Sequence, residues 1–150
     1  MLNIASDPQT PIHQLVRRPT VIIPSESSLG EAARAMRDAD VSCALLDDHR
    51  IITERDLTRG MAAGLAPADD AGAVAVANPV AVAAAMPVLE AAEVMLCRHI
   101  RHLVVTDRTG GVVGIVSLRD IVSVLILSTE PAMSAFLQRV VTEHSEIWLG

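Results

Sequence analysis

The sequence has almost no aromatic residues and no lysine. Phe136 and Trp148 are its only aromatics, so a core must be aliphatic, and the aromatic surfaces on which single-stranded nucleic acids stack are missing. All twelve basic residues are arginine, and the net charge is −6. Because nucleic-acid binding depends on basic residues that neutralise phosphates, this balance argues against a nucleic-acid partner. The heavy use of alanine and the missing lysine are typical of a GC-rich bacterial genome.

Cysteines and long apolar runs are also scarce. Cys43 and Cys97 are too few for a disulfide scaffold, which favours a reducing compartment. The first residues show neither the basic start nor the apolar run of a signal peptide. The apolar stretch 121–127 is too short to span a membrane. We therefore expect a cytoplasmic protein with no membrane partner.

One pattern occurs twice along the chain. Residues 28–36 carry apolar side chains at i, i+3, i+4 and i+7 behind a Ser28–Glu31 capping box, which predicts a helix. The same spacing returns fifty-nine residues later in 87–95, where Pro87 suits the first helical position. Short apolar segments before and after each helix predict strands, and a second helix follows. The prediction is an α+β (or α/β) fold with the order strand, helix, strand, strand, helix, twice.

The two repeats and their connections divide the chain into four segments. We place the first repeat at 11–64, a loop-rich linker at 65–72, the second repeat at 73–128 and a tail at 129–150. Gly64 is well placed to end the helix that precedes the linker. A unit of two or three strands cannot bury its sheet alone, so the repeats should pack sheet to sheet as a pseudo-two-fold pair.

Each repeat closes on a short polar motif. Residues 52–57 read Ile-Thr-Glu-Arg-Asp-Leu, and residues 116–121 read Val-Ser-Leu-Arg-Asp-Ile. With this motif present twice in the same order of elements, the chain resembles the cystathionine-β-synthase (CBS) domain family over roughly residues 11–127, as a tandem CBS pair or Bateman module. A looser likeness links it to small stand-alone bacterial CBS pairs, including hypoxic-response proteins.

The resemblance implies a regulatory module without catalytic activity. Many pairs of this family bind adenosine-containing ligands in clefts between the repeats, so the implied effector is AMP, ADP, ATP or S-adenosylmethionine, with no other cofactor. The acidic residue of the motif holds the ribose, its hydroxyl residue assists, and the arginines are candidates for phosphate. The residues so assigned are Thr53, Arg55, Asp56, Ser117, Arg119 and Asp120. Aliphatic strand residues that could enclose the adenine are Val21, Ile22, Ala81 and Val82.

A second interpretation of the same motifs is purely structural. A Ser/Thr-x-x-Asp sequence is commonly only a helix cap, and its recurrence in both repeats is what keeps a ligand role open. The alternative function is a ligand-free homodimeric stress-response or scaffold protein, favoured by Arg50 at the position where the second repeat has Gly114. If ligands do bind, we expect the second cleft to be tighter, because a glycine permits close approach and Arg50 crowds the first.

The sequence offers no catalytic or metal site. No nucleophile and base can be paired, so we assign no catalytic residue and do not expect an enzyme. Cys97, His99 and His102 lack the spacing of a zinc signature, so we assign no metal ligand.

Two partners are predicted from apolar surfaces. The small alanines of the first helix in each repeat predict an exposed face and hence a homodimer. These alanines are Ala32, Ala33, Ala91 and Ala92. The tail 129–150 has apolar residues near one helical face. We expect this face to cover the core of its own chain or to pack on a second subunit; the alternative is that it docks an unknown protein partner.

Overall fold

A computed structural model describes residues 7–16 and 19–127, so the tail 129–150 lies outside the described residues. The element order confirms the predicted α+β repeat, strand, helix, strand, strand, helix, twice. The first repeat contains β1 (Ile22–Ile23), α1 (Leu29–Asp38), β2 (Cys43–Leu46), β3 (Ile51–Thr53) and α2 (Glu54–Ala62). The second contains β4 (Ala81–Ala83), α3 (Val88–Cys97), β5 (His102–Thr106), β6 (Val112–Ser117) and α4 (Leu118–Leu127). Short 3-10 turns occupy Ile12–Leu15 and Ala71–Ala73.

Each repeat forms its own three-stranded sheet, in the orders β1-β2-β3 and β4-β5-β6. The first pair of strands is parallel and the second antiparallel in both sheets. Ile22 lies opposite Leu45, and Ala81 lies opposite Val104. Ile22 and Ala81 are therefore equivalent positions. The pairs predicted to contact adenine, Val21 with Ile22 and Ala81 with Val82, are therefore shifted by one residue relative to each other. Because neighbouring strand residues point to opposite faces of a sheet, the members of each pair cannot both face the same ligand.

The first helix of each repeat begins differently. In α1 the predicted capping box is confirmed, with the Ser28 hydroxyl accepting from Glu31 N–H and the Glu31 carboxylate accepting from Ser28 N–H at 2.8 Å. In α3, Pro87 is the N-cap in extended conformation, one residue before its predicted place inside the helix. Proline has no side chain that could cap. The first two N–H groups of the helix, those of Val88 and Leu89, have no acceptor within the helix and need acceptors from elsewhere.

Those acceptors come from residues 7–16, which precede β1 and which we call the leading segment. Val88 N–H donates to the Thr10 carbonyl at 2.9 Å, and Leu89 N–H donates to the Pro8 carbonyl at 3.1 Å. The described chain divides into two compact units, 19–80 and 7–16 with 81–127. The leading segment thus belongs with the second repeat. Within it, Ile12 is fully buried.

The expected linker has the matching role in the other unit. Leu29 N–H donates to the Asp69 carbonyl at 2.8 Å, and Gly30 N–H donates to the Pro67 carbonyl at 2.9 Å. Residues 65–72, which we call the connecting segment, therefore pack against the first repeat. Downstream of them, Val76 exchanges two backbone hydrogen bonds with Ile51 at the edge of β3.

The ends of three helices share one hydrogen-bond pattern. At α2, Gly64 (φ +90°) donates to the Met61 carbonyl and Leu65 donates to the Gly60 carbonyl, both at 3.0 Å, which confirms Gly64 as the terminating residue. The helices α1 and α3 end in the same way with Asp40 (φ 53°) and His99 (φ 54°) in the left-handed conformation that favours glycine.

The alanine faces proposed as an exposed interface are mostly interior. Ala32 and Ala91 are completely buried, Ala92 is 1% exposed, and only Ala33 is exposed. That expectation is wrong, because the small side chains serve close packing inside the chain itself. Within the described residues, no helix combines the length and apolar character needed to cross a membrane.

Candidate functional site

The two Ser/Thr-x-x-Asp motifs lie at the starts of α2 and α4. Thr53 N–H and the Thr53 hydroxyl both donate to Oδ2 of Asp56, at 2.9 and 2.6 Å. Asp56 N–H donates back to the Thr53 hydroxyl at 3.3 Å. Ser117 and Asp120 repeat this arrangement with distances of 2.8, 2.6 and 3.3 Å. Both motifs therefore form reciprocal caps, as the structural interpretation predicted.

Capping uses only one oxygen of each carboxylate. In the part of the chain that is described, Oδ1 of Asp120 accepts no hydrogen bond. Oδ1 of Asp56 lies 3.8 Å from Nη1 of Arg59, which places a positive charge beside it. A cap and a ligand site are thus compatible at Asp120, since the capping bonds fix the carboxylate and leave an acceptor for another group.

The two sets of predicted residues differ in exposure. We call Thr53, Arg55 and Asp56 the first half-site, and Ser117, Arg119 and Asp120 the second half-site. The Asp56 side chain is only 8% exposed, whereas Asp120 is partly exposed. Both arginines are exposed and both hydroxyl residues partly so. The carboxylate of the second half-site is therefore the more accessible one.

A backbone contact adds one further residue to each half-site. Glu54 N–H, at the start of α2, donates to the Ser42 carbonyl at 3.1 Å. Leu118 N–H, at the start of α4, donates to the Arg101 carbonyl at 2.8 Å. Ser42 and Arg101 therefore flank matching helix starts. Sequence reasoning missed them, although each directly precedes the strand that pairs with the motif.

The four aliphatic candidates fall on different sides of their strands. Ile22 is 62% exposed and Ala81 is exposed, at equivalent positions. Val82 is 6% exposed and belongs to the core, as Ile23 does in the first repeat. Val21 directly precedes β1 and is partly buried against the core of its unit. Only Ile22 and Ala81 are well exposed for contact with a base.

Arg50 has its own partners in the first unit. Its Nε and Nη2 lie 2.8 and 2.7 Å from Oδ2 of Asp48, and its Nη1 donates to the Gly72 carbonyl at 2.8 Å. The hydrogen bond from Arg50 lowers the pKa of Asp48 below its usual value. The guanidinium therefore links the connecting segment to the turn between β2 and β3, a role that the sequence did not suggest.

Gly114 also has a structural role. A Cβ atom at this position would collide with a Cγ atom of Val16 in the leading segment. The room left by the missing side chain is thus taken by Val16, where the sequence suggested that it stays open for a ligand. A difference between the first and second half-sites therefore depends on the exposure of Asp56 and Asp120.

Comparison with known families decides what these repeats are. The model of the CBS domain matches residues 12–63 and 71–127. The chain belongs to the CBS-domain family. It is a CBS pair, because the CBS model matches twice along the chain and each match covers the strands and helices of one repeat. No curated protein is recognisably similar in sequence.

Solved structures of CBS pairs have the same fold. A CBS domain protein from Pyrobaculum aerophilum complexed with AMP is 30% identical, with a TM-score of 0.70 over 86% of this chain and 98% of that one. Hypoxic Response Protein I with two coordinated zinc ions is 28% identical, with a TM-score of 0.63 over 76% and 98%. A CBS pair in complex with 5′-methylthioadenosine and S-adenosyl-L-methionine is 25% identical, with a TM-score of 0.69 over 77% and 95%.

Cys97, His99 and His102 lie near the end of α3 and the start of β5 in this CBS pair. Cys97 and His99 are exposed and His102 is partly exposed. Among the described residues, no three His, Cys, Asp or Glu side chains form a group that could hold a metal ion. His99 has a structural position instead, as the left-handed residue that ends α3.

Proposed function

We propose that this CBS pair is a non-catalytic regulatory module that binds an adenosine-containing ligand through the second half-site. The observation that carries the proposal is the carboxylate of Asp120, which is partly exposed and has Oδ1 without a hydrogen bond from any described residue. The AMP complex of a CBS domain protein that is 30% identical supports the choice of ligand class.

The capping bonds prepare Asp120 for a ribose. Because Ser117 donates twice to Oδ2, the carboxylate is held in one orientation at the start of α4. Oδ1 can then accept from a ribose hydroxyl without any rearrangement. Ala81, exposed and small, leaves space beside β4 for a base, and Arg119 is exposed for a phosphate.

The first half-site should bind the same class of ligand more weakly. Asp56 is almost buried, and its second oxygen has Arg59 as a neighbour. A ligand would have to displace that arginine and reach a less accessible carboxylate. The exposed side chain of Ile22 is larger than that of Ala81. We therefore expect the remaining affinity of the first half-site to come from contact between Ile22 and the base.

Calorimetric titration with AMP, ATP and S-adenosylmethionine tests the proposal. We expect heat of binding with the wild-type protein and a loss of affinity of about 1–3 kcal/mol in Asp120→Ala, as for a hydrogen bond to a charged group. Glu31→Ala is the matched control, since it removes an equivalent capping carboxylate from α1, away from the motif. Binding that is lost equally in both variants, or absent from the wild type, would favour the ligand-free scaffold.

We also propose that the protein is a homodimer. With most of the alanine faces buried, support comes from Met61 on α2 and Val122 on α4, whose side chains are 71% and 40% exposed. Light scattering should give twice the 15.9 kDa mass of one chain. Met61→Glu should shift the mass toward one chain, and the exposed Ala62→Glu, about 100° around the same helix, is its control.

A further inference from the structure

The residues that flank the two half-sites carry different charges. At the first residue of the helix, Glu54 in α2 corresponds to Leu118 in α4. At the carbonyl that accepts from this residue, Ser42 corresponds to Arg101. Both substitutions make the surroundings of the second half-site more positive, because one removes a carboxylate and the other adds a guanidinium.

The remaining charges offset only part of this difference. Arg55 and Arg119 are equivalent and both exposed. The first half-site has one additional arginine, Arg59, whose guanidinium lies 3.8 Å from Asp56 and offsets one of these two charge differences. The surroundings of the second half-site therefore remain more positive by one charge. Within the described residues, Arg101 and Arg119 form no ion pair, so their charges remain available to a ligand.

The same imbalance extends over each repeat. The first unit, residues 19–80, contains five arginines and ten acidic residues, whereas the second unit, residues 7–16 and 81–127, contains four arginines and five acidic residues. An anion that approaches the first unit therefore meets a strongly negative surface, and one that approaches the second meets a nearly neutral surface with local positive charge. The charges at the matched positions and the net charge of each unit both favour the binding of an anion at the second half-site.

We propose that the second half-site selects phosphate-bearing adenosine ligands through Arg101 and Arg119, and that the acidic surroundings of the first half-site disfavour them. This inference rests on the proposed function and adds the charge of the ligand to it. Guanidinium groups suit phosphate because they offer several donors in a planar fork. Glu54 in the first repeat would repel the same phosphate at short range.

A series of ligands with increasing charge tests the inference. In calorimetric titrations at low salt, the affinity should rise from adenosine to AMP to ATP, and the rise should shrink at higher salt because the charges are exposed. Arg101→Ser and Leu118→Glu place the residues of the first repeat into the second. Each should weaken AMP and ATP roughly tenfold and leave adenosine unchanged. Arg101→Lys should retain most of the preference.

The controls separate this inference from the proposed function. Ser42→Ala alters the matched position of the first repeat and should leave AMP and ATP affinity unchanged. Tripolyphosphate serves as a probe without adenosine, and its binding should also weaken in Arg101→Ser. If adenosine binds and phosphates add nothing, the charge selection is wrong while the adenosine site stands. If tripolyphosphate binds through Arg101 and no adenosine ligand does, the adenosine site is wrong. If neither binds, both are wrong.

Discussion

The starts of α2 and α4 have the same hydrogen bonds and different surroundings. In both, the hydroxyl of the N-cap residue donates to the aspartate at 2.6 Å. Around this common cap, Asp56 is nearly buried and has Arg59 beside it, whereas Asp120 is partly exposed. The comparison shows that the two helix starts share one cap, while the exposure and charge around that cap differ.

The segments before the two repeats allow a second comparison. Pro8 and Thr10 accept from the start of α3 just as Pro67 and Asp69 accept from the start of α1. The largest buried side chain of the leading segment is Ile12, at the position of Ala71 in the connecting segment. Each repeat is thus completed by residues that precede the other repeat in the sequence.

Ile12→Ala should give the largest effect on stability. Removing most of a fully buried side chain costs about 2–5 kcal/mol of the free energy of unfolding, which urea denaturation measures. Hydrogen exchange should show the loss of protection in residues 81–127. Gln9→Ala, on the exposed side of the same segment, is the control. A change of less than 1 kcal/mol would mean that the leading segment does not complete the second repeat.

Gly114→Ala should destabilise the protein by about 1–3 kcal/mol, because the added methyl group collides with Val16. Adding Val16→Ala to this variant should recover part of the loss, as expected for two residues that compete for the same space. Melting curves of the two single variants and the double variant provide the comparison. Strictly additive losses would show that the glycine serves something other than contact with Val16.

His99→Gly should stabilise the protein by about 1 kcal/mol, since glycine adopts the left-handed conformation at the end of α3 without strain. The control is Arg98→Gly, one residue earlier in right-handed conformation, which should destabilise. Asp40→Gly makes the same change in the first repeat. A loss of stability in His99→Gly would indicate that the imidazole makes a contact worth more than the strain.

The smallest expected effect is on how far the melting temperature falls at low pH. Hydrogen bonds from Arg50 lower the pKa of Asp48, and those from Thr109 lower the pKa of Asp107. A carboxylate with a lowered pKa in the folded state stabilises fully above its usual value of 3.8 and loses this contribution as the pH falls through the folded pKa. Asp48→Asn and Asp107→Asn should each flatten the fall in melting temperature below pH 4. Asp38→Asn is the exposed control.

Local features of this fold were predictable from sequence. The Ser28–Glu31 box and Gly64 act within a few residues, so their spacing was sufficient to identify them. The order of elements followed from apolar periodicity and from the recurrence of the motif. The family followed from the same residues.

Features that depend on distant residues were not predictable. Pro87 was placed one residue too far into α3, and the acceptors of the N–H groups that follow it were not foreseen, because Pro8 and Thr10 lie almost eighty residues earlier. The register of β1 and β4, the partner of Arg50 and the collision at Gly114 likewise depend on contacts that spacing does not reveal. The exposure of Asp56 and Asp120 is a property of the packed unit.

Titration of Asp120→Ala and Asp56→Ala with AMP compares the two half-sites most directly. Both variants lose an equivalent capping carboxylate, so their melting temperatures should fall by similar amounts. Their affinities should differ, with a loss of about 1–3 kcal/mol in Asp120→Ala and a smaller loss in Asp56→Ala. Equal losses, or a larger loss in Asp56→Ala, would contradict the assignment of the ligand to the second half-site.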